Sequence, residues 1–562
     1  MTWSTACPDW QRRLEAGESL VPDLPLFEEE RDRALRIFDR LRLPDVIGTP
    51  AMSDAAGDWF RDIVAALFGS YDAEANRRMV QELFLLVPKK NGKSSYAAAI
   101  MVVAMIVNRR PSAEFLLIAP TKEIAGIAYR QAKGIIKLDE ELLKLFHTRD
   151  HIKTIEHRRT GATLQIKAAD TDVITGSKST GILVDETHVF AKKSNASEIF
   201  VEIRGALAAR PDGFMIQITT QSKEPPVGLF KAELALARDI RDGNVQLPRL
   251  AVLYELPEQL AKDDGWKDPR VWPLVNPNMG RSVDRQFLEN QLLAAEQPGA
   301  EPGALALLAS QHFNVEVGLA LRNDAWAGAR YWTDACDDTL TLDELLHRSE
   351  VVVAGIDGGG LDDLAGLGVL GRCKKTRDWL LWNHAWAQPD VFERRKDIVS
   401  RLEDFIAEGT LTLCDSPTGD ILGIADTIEL IKDAGLLPET NAIGLDPQGV
   451  AALVDELVAR GITDAQMTGI SQGFRLSSAV WGMERKLKDG TLWHSGQGLM
   501  TWCVGNAKVE QRGNAVLITK QTAGKAKIDP LVASFNAVML MSRNPEAASG
   551  PSVYEDRGML VL

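Results

Sequence analysis

The chain has 562 residues, more than one hydrophobic core ordinarily organises, so two or three domains are expected. Hydrophobic residues make up 45% and charged residues 25%, as in ordinary globular proteins. The formal charge of -14 argues against a surface that binds nucleic acid throughout, yet allows local basic grooves.

Five cysteines (Cys7, Cys336, Cys373, Cys414 and Cys503) form no CxxC pair, which fits a reducing compartment and argues against structural zinc. Asp9, Arg12, Arg13 and Glu15 interrupt any secretory pattern near the start. The longest apolar run, Ala97 to Val107, is eleven residues, too short to span a bilayer. These features predict a soluble, intracellular protein with no membrane partner.

In chain order, residues 1–50 read as a small N-terminal helical segment, with an amphipathic stretch from Glu28 to Leu43. Residues 51 to about 240 alternate apolar runs with helical patterns. The strand candidates are Leu83–Val87, Phe115–Ala119, Ala162–Lys167, Gly181–Val184 and Phe214–Thr219. This alternation predicts an α/β fold with a mostly parallel sheet covered by helices on both faces. Residues 250–330 are rich in Pro and Trp and read as a helical extension. A linker is expected over 331–350, and a second α/β block from 351 to 545. That block runs through Val351–Asp357, Gly366–Leu370, Trp379–Ala385, a helix near Arg394–Ile406, and Ala442–Asp446. It closes with a hairpin at Gly513–Lys520 and a helix over Asp529–Met541; a flexible tail, 546–562, follows.

Two stretches of the first block carry nucleotide chemistry. Leu83 to Val87 is an apolar strand, followed by Pro88-Lys89-Lys90-Asn91-Gly92-Lys93-Ser94-Ser95 and then a helical pattern. A phosphate-binding loop needs this order, because loop N–H groups and a helix N-terminus face the phosphates. Lys93 would supply a positive charge and the Ser94 hydroxyl would hold magnesium. Gly181-Ile-Leu-Val-Asp185-Glu186 is a strand ending in two acids, whose burial is costly unless a cation or water meets them. Asp185 would help hold magnesium and Glu186 would polarise the attacking water. Alone, each stretch reads equally as a strand ending in a solvated turn; together, each at a strand end, they point to ATP hydrolysis.

Phe214 to Thr219 also ends in small polar groups, Thr219, Thr220 and Gln221, placed to sense the γ-phosphate or simply to form a turn. A ring motor needs a transition-state arginine, for which Arg130, Arg204 and Arg210 are candidates.

In the second block, Asp357 ends one strand, Asp446 ends another, and Asp529 opens a helix. Two-metal phosphodiester cleavage needs hard oxygen ligands converging in this way. Asp446 before Pro447 is equally a turn residue, and Asp529 equally a helix cap. Asp363 and Asp415 are further candidate ligands. Between Gly505 and Lys527, the cations Lys508, Arg512, Lys520, Lys525 and Lys527 face only one acid, Glu510. A basic hairpin of this kind suits a DNA backbone, or is merely a solvated face.

At this point the sequence resembles a known family. Val87-Pro-Lys-Lys-Asn-Gly-Lys-Ser, Leu183-Val-Asp-Glu and Ile218-Thr-Thr-Gln-Ser are similar to the ATPase motifs of phage terminase large subunits. Val275-Asn-Pro-Asn-Met-Gly-Arg-Ser and His312-Phe-Asn-Val resemble the stretch that follows. Gln472-Gly473-Phe474, His494, Asn506-Ala507 and Ile528-Asp529 resemble the nuclease half. The likeness spans roughly residues 50–545. It implies an N-terminal P-loop (ASCE-type) ATPase over residues 51–330 and a C-terminal RNase H-like nuclease. The implied machine is a homo-oligomeric ring, commonly of five, on the portal of a procapsid. It would assemble there from chains that are monomeric in solution, draw double-stranded DNA in and cut the concatemer. ATP and Mg2+ would be its cofactors, with Mn2+ able to substitute in the nuclease. The portal protein and a small terminase subunit would be its partners, in the cytoplasm of an infected or lysogenic bacterial host. By the same likeness Lys93 and Ser94 bind ATP and magnesium, Glu186 is catalytic, Thr219–Gln221 couple hydrolysis to movement, and Asp357, Asp446 and Asp529 hold metal.

Two departures stand out: Val87 occupies the position of the loop's first glycine, and no adenine-contacting glutamine is evident around Trp59-Phe60-Arg61. Asp185-Glu186-Thr187-His188 also spells a DExH box, so an ATP-dependent helicase is the main alternative. No later arginine-bearing helicase motif accompanies it. A non-enzymatic prophage remnant, acting as a DNA- or portal-binding scaffold, is the other, and the intact Lys93, Glu186 and three nuclease acids argue against it.

Overall fold

The computed structural model describes the chain apart from residues 1–2, 73–76, 170–177, 191–192, 194, 262–263, 298–299, 302, 318–324, 359–362, 397, 448–449, 514, 521–526 and 548–562. The side chains of Asp72, Ala168 and Arg512 are likewise outside the description. The chain divides into two units, residues 1–317 and 318–562. No helix among the described residues is long and apolar enough to cross a membrane.

In the first unit the apolar runs become strands: β1 (Glu82–Leu86), β2 (Glu114–Ala119), β3 (Phe146–Arg149), β4 (Thr154–His157), β5 (Thr163–Ala168), β6 (Ser179–Asp185), β7 (Phe214–Thr219) and β8 (Arg249–Leu253). Their order across the sheet is β8-β1-β7-β6-β2-β5-β4-β3. The six strands from β8 to β5 are parallel, and β4 and β3 extend them antiparallel. Strands buried on both faces show unbroken apolar runs rather than alternation, as β1, β6 and β7 do. The helices α1 (Lys93–Val107), α2 (Lys122–Lys137), α3 (Ala196–Leu207) and α4 (Gly228–Asp242) join them.

β8 corrects the expectation of a helical extension from residue 250. Arg249–Leu253 is a fully buried edge strand paired with β1, too short for its sequence to separate it from the Pro- and Trp-rich stretch behind it. Beyond it the extension is helical, with Arg285–Ala295 and α5 (Ala304–Phe313). Its tryptophans are interior anchors: Trp266 and Trp272 lie 5.5 and 5.1 Å from the Phe313 ring centroid. The expected N-terminal helix forms over Glu28–Arg40 and buries Ala34 and Phe38, with Phe38 stacked 5.9 Å from Phe60.

In the second unit the strands are β9 (Ser349–Gly358), β10 (Leu364–Cys373), β11 (Trp379–Ala387), β12 (Leu411–Leu413), β13 (Ile443–Leu445), β14 (Met467–Gly469) and β15 (Leu492–His494). The order is β12-β11-β10-β9-β13-β14, with β15 sharing the outer edge of β11. The run β9-β10-β11 is antiparallel, while β13 and β14 add to β9 in parallel, an RNase H-like arrangement. This is not a second parallel motor sheet, which removes the structural basis of the helicase alternative. The expected helix near Arg394–Ile406 forms as two, Pro389–Arg394 and Val399–Ala407. The hairpin is longer than expected, pairing β16 (Ala507–Arg512) with β17 (Ala515–Lys520). The stretch expected as a linker carries a helix, Leu342–Arg348, with Leu345 buried.

The last helix, α6 (Asp529–Met541), lies almost backbone to backbone on β9 and β10. Glycines permit this approach. A Cβ on Gly355 would overlap Ala533 O and come within 2.5 Å of Ala537 N, and one on Gly366 would come within 2.7 Å of Asp529 C. These are backbone atoms that cannot swing aside. Gly355→Ala is therefore expected to destabilise the second unit by about 3 kcal/mol, the upper range for overpacking a core. Thermal unfolding of the full chain checks this, and an unchanged transition would mean that α6 has room to move.

Candidate active sites

The first site forms at the C-terminal edge of the parallel sheet of the first unit. β1 runs out into the Pro88–Gly92 loop, and α1 begins at Lys93, so the loop's peptide groups and the helix N-terminus converge. Gly92 takes φ 78 and Lys90 φ 72, the left-handed geometry that such a tight loop requires. β6, two strands away through β7, delivers Asp185 and Glu186 to the same edge. Lys93, only 7% exposed, places Nζ 3.1 Å from Glu186 Oε1.

Glu186 sits at φ 57, an uncommon conformation for a residue with a side chain, costing roughly 1 kcal/mol or more. Its N–H donates to Ile218 O at 2.9 Å, which helps hold the strained turn. His188 Nδ1 lies 3.2 Å from Glu186 Oε2 and 3.1 Å from Thr219 Oγ1. Burial raises the pKa of Asp185 and the neighbouring Glu186 charge raises it further, while the Ser94 hydroxyl hydrogen-bonds to it. Burial opposes ionisation of Glu186 too, but Lys93 and His188 outweigh it and hold that carboxyl low. Lys93 thus sides with Glu186, leaving Asp185 short of a cation. Asp185 Oδ1 is a buried oxygen without a hydrogen-bond partner among the described residues.

Thr219, Thr220 and Gln221 follow the end of β7 and are fully buried. The backbone N–H of His188 donates to Thr219 Oγ1 at 3.1 Å, and Gln221 N–H donates to Asn314 Oδ1 at 3.0 Å. Sequence reasoning missed His188 as a link between Glu186 and Thr219. It also missed the buried amides of the stretches after 275 and 310, although their runs of Asn and Gln inside apolar sequence were the available signal.

The arginine candidates separate. Arg204 is drawn into ion pairs with Glu82 and Glu233, both at 2.9 Å, and Glu82 opens β1 at the end opposite the phosphate loop. Arg210 lies just before β7, at that same far edge, and donates to Ala209 O. Neither position suits a group that reaches a nucleotide on another subunit. Arg130 is exposed on α2, whose N-terminus follows β2 on the phosphate-loop side.

The second site forms in the second unit. Ile356 of β9 pairs with Leu445 of β13, which sets Asp357 and Asp446 side by side at the ends of adjacent parallel strands. The close approach of α6 brings Asp529 over the same point, buried to 4% exposure. Burial, then the Asp529 charge, then the Asp446 charge push the Asp357 carboxyl up to about 8. A Cβ on Gly358, the residue after Asp357, would lie 3.5 Å from Asp529 Oδ1, so Asp529 sits beside the strand end that carries Asp357. Burial and the Asp363 charge also raise Asp529, and its Oδ2 is a buried oxygen without a hydrogen-bond partner among the described residues. Asp363, against its burial, is held low by Lys527 and Lys520. Asp415 does not join the group. It is exposed and follows β12, three strands from β9, about 14 Å at the usual strand spacing.

Among the described residues no group of three or more His, Cys, Asp or Glu side chains stands close enough together to hold a metal ion. Lys520 Nζ bridges Asp363 Oδ2 at 2.9 Å and Asp529 Oδ1 at 3.3 Å, and Lys527 Nζ, on a residue 3% exposed, reaches Asp363 Oδ1 at 2.7 Å. This corrects the expectation that both face a DNA backbone: clustered acids in a low-dielectric site draw cations inward. Lys508 is half-buried on the hairpin, with its Nζ 4.0 Å from Glu510. The Arg512 side chain and all of Lys525 lie outside the described residues. The donor set of hard carboxylates, with one buried oxygen unpaired, fits a divalent cation of the magnesium or manganese type.

The remaining motif residues support the acids from behind. Gln472 Nε2 donates to Asn536 Oδ1 at 3.1 Å, and Asn536 Nδ2 donates to Ile356 O at 2.9 Å, pinning α6 to β9 beside Asp357. Asn506 Nδ2 donates to Lys527 O at 3.0 Å. His494 stacks 3.8 Å over Trp332 and is pushed down to about 4 by burial, so it is a neutral packing group.

Comparison with known proteins agrees with this geometry. Residues 58–228 match the family model of the terminase large subunit ATPase domain, and residues 253–544 that of the terminase large subunit endonuclease domain. Protein YmfN of Escherichia coli (strain K12) is 25% identical over 382 residues, covering 65% of this chain and 77% of that protein. Among solved structures, the HK97 bacteriophage large terminase is 18% identical, with 90% of this chain and 99% of that chain covered and a TM-score of 0.43. A large terminase from a thermophilic bacteriophage is 12% identical, with 92% of this chain and 98% of that chain covered and a TM-score of 0.30. The chain belongs to the terminase large subunit family, and it joins the family's ATPase, the motor of viral DNA packaging, to its DNA-cutting endonuclease.

Proposed function

We propose that the Pro88–Ser95 loop binds ATP, with Lys93 neutralising the phosphates and Ser94 and Asp185 holding Mg2+. Glu186 orients the attacking water, and Thr219, Thr220 and Gln221 pass the loss of the γ-phosphate onward. The observation that carries this reading is the 3.1 Å pairing of Lys93 with Glu186, made at a strained backbone turn beside a cation-starved Asp185. Lys93 rests on the catalytic carboxylate; a bound phosphate would draw it away and free Glu186 for water. Arg130 is the remaining candidate for a group acting on a neighbouring subunit.

In the nuclease, Asp357, Asp446 and Asp529 hold divalent cations, Mg2+ or Mn2+, and Asp363 sits beside them. Such ions, when bound, stabilise the charge that develops on a cleaved phosphodiester. The carboxylates orient them, α6 keeps Asp529 dry and fixed, and Lys508 and Arg512 offer the duplex backbone positive charge. The working assembly is a ring on the portal of a procapsid, served by a small terminase subunit, in the host cytoplasm. The ATPase portion ends near residue 317 rather than 330, since Trp326, Ala329 and Trp332 pack in the core of the second unit, and the nuclease portion ends near residue 545.

Three results check this reading. Lys93→Ala is expected to cut ATP turnover by at least about 100-fold, the scale of losing a charge-stabilising donor, while metal-dependent cleavage of DNA persists. Asp357→Asn is expected to do the reverse, and loss of both activities in either variant would refute the division of labour. Lys520→Ala leaves the Asp363 and Asp529 carboxylates facing each other without their shared cation. Its unfolding temperature without divalent cations should fall by about 4–8 °C, from a loss of about 2 kcal/mol, and manganese should restore most of it. A fall that manganese does not restore would mean that Lys520 is only a structural cross-link.

A further inference from the structure

One short segment at the end of α5 holds both moving parts of the ATPase. Gln311 O accepts the Lys89 N–H of the phosphate loop at 2.8 Å, while Gln311 Nε2 donates to Gln221 O at 2.8 Å. Asn314 Oδ1 accepts the Gln221 N–H at 3.0 Å, and Asn314 Nδ2 donates to Tyr254 O at 2.8 Å, just past β8. The Gln221 peptide groups are thus gripped on both sides by residues 311–314. A second route reaches the same segment. Asn91 Nδ2 of the phosphate loop donates to Asn276 Oδ1 at 2.8 Å, and Asn276 Nδ2 donates to His312 O at 3.0 Å. All five amides are buried: Asn91 and Gln221 at 0%, Asn276 at 1%, and Gln311 and Asn314 at 2% exposure.

The network is not saturated. Gln221 Nε2 is a buried donor and Gln311 Oε1 a buried acceptor, and neither has a partner among the described residues. The two residues already touch through the Gln311 Nε2 to Gln221 O bond. Buried amides of this kind carry a strong drive to pair.

We infer that Gln311, seconded by Asn314, is the positioning residue through which the state of the phosphate loop and of the Thr219–Gln221 strand end is passed together to α5. Gln311 acts through Lys89 and Gln221, its hydrogen-bond partners. The inference rests on the proposed coupling role of Thr219–Gln221 and adds the element that reads it.

The test is Gln311→Met in the full-length chain, with Gln221→Ala as a parallel arm. ATP turnover, its KM and the length of DNA translocated into procapsids per ATP are measured together. Methionine keeps the volume and the backbone carbonyl but removes the donor to Gln221. The expected result is ATP turnover within threefold of the parent, KM within twofold, and at least a tenfold fall in DNA moved per ATP. An equal fall in turnover and translocation would make Gln311 a structural residue and overturn the inference. Should Gln221→Ala uncouple while Gln311→Met does not, the inference fails alone; should neither uncouple, the coupling role itself fails with it. If Gln311→Met does not fold, Asn314→Gly is read by the same criteria, since glycine suits the φ of 51 at that position and removes the other grip on Gln221.

Discussion

A carboxylate taken out of water must find a cation, a donor or a proton, and both units of this chain are built around carboxylates that have been taken out of water. In the first unit two adjacent acids share one lysine, and in the second Asp363 and Asp529 share two. The shortfall of positive charge is the property on which the chemistry depends. It leaves an oxygen of Asp185 and an oxygen of Asp529 buried and unpaired among the described residues.

The two sheets meet this constraint by the same device. Each carries acids at the C-terminal ends of its strands, on one strand in the first sheet and on two neighbouring strands in the second. The parallel sheet joins Asp185 and Glu186 at the tip of β6 to the phosphate loop after β1. The mixed sheet joins Asp357 to Asp446 through the β9–β13 register. Only the second needs an acid from a helix, and the glycines of β9 and β10 exist for that contact. Without them α6 could not bring Asp529 so close to the strands.

Where an acid ends an apolar strand, the order of residues announces it, which is why Asp185, Glu186, Asp357 and Asp446 are legible in the sequence alone. The parallel core is legible for the same reason, since strands buried on both faces show unbroken apolar runs. The direction of a long cation is not legible. Lys520 and Lys527 read as groups for DNA yet turn inward, because a run of positive residues reveals its charge but not the acids it will meet. Arg204 misleads likewise, its partners Glu82 and Glu233 lying 122 and 29 residues away. The amide network around Asn91 stays hidden because its bond to Asn276 spans 185 residues, a pairing that local sequence does not show. β8 is lost in the stretch it opens, where five apolar-rich residues do not outweigh the Pro and Trp that follow.

The central claim is that Asp357, Asp446 and Asp529 form one metal-binding cluster. The most direct test is anomalous scattering from crystals of this chain grown with manganese. The account predicts density within about 2.0–2.6 Å of oxygens from all three aspartates, with Lys520 Nζ withdrawn from Asp529. Manganese bound elsewhere, with Lys520 still seated between Asp363 and Asp529, would contradict it.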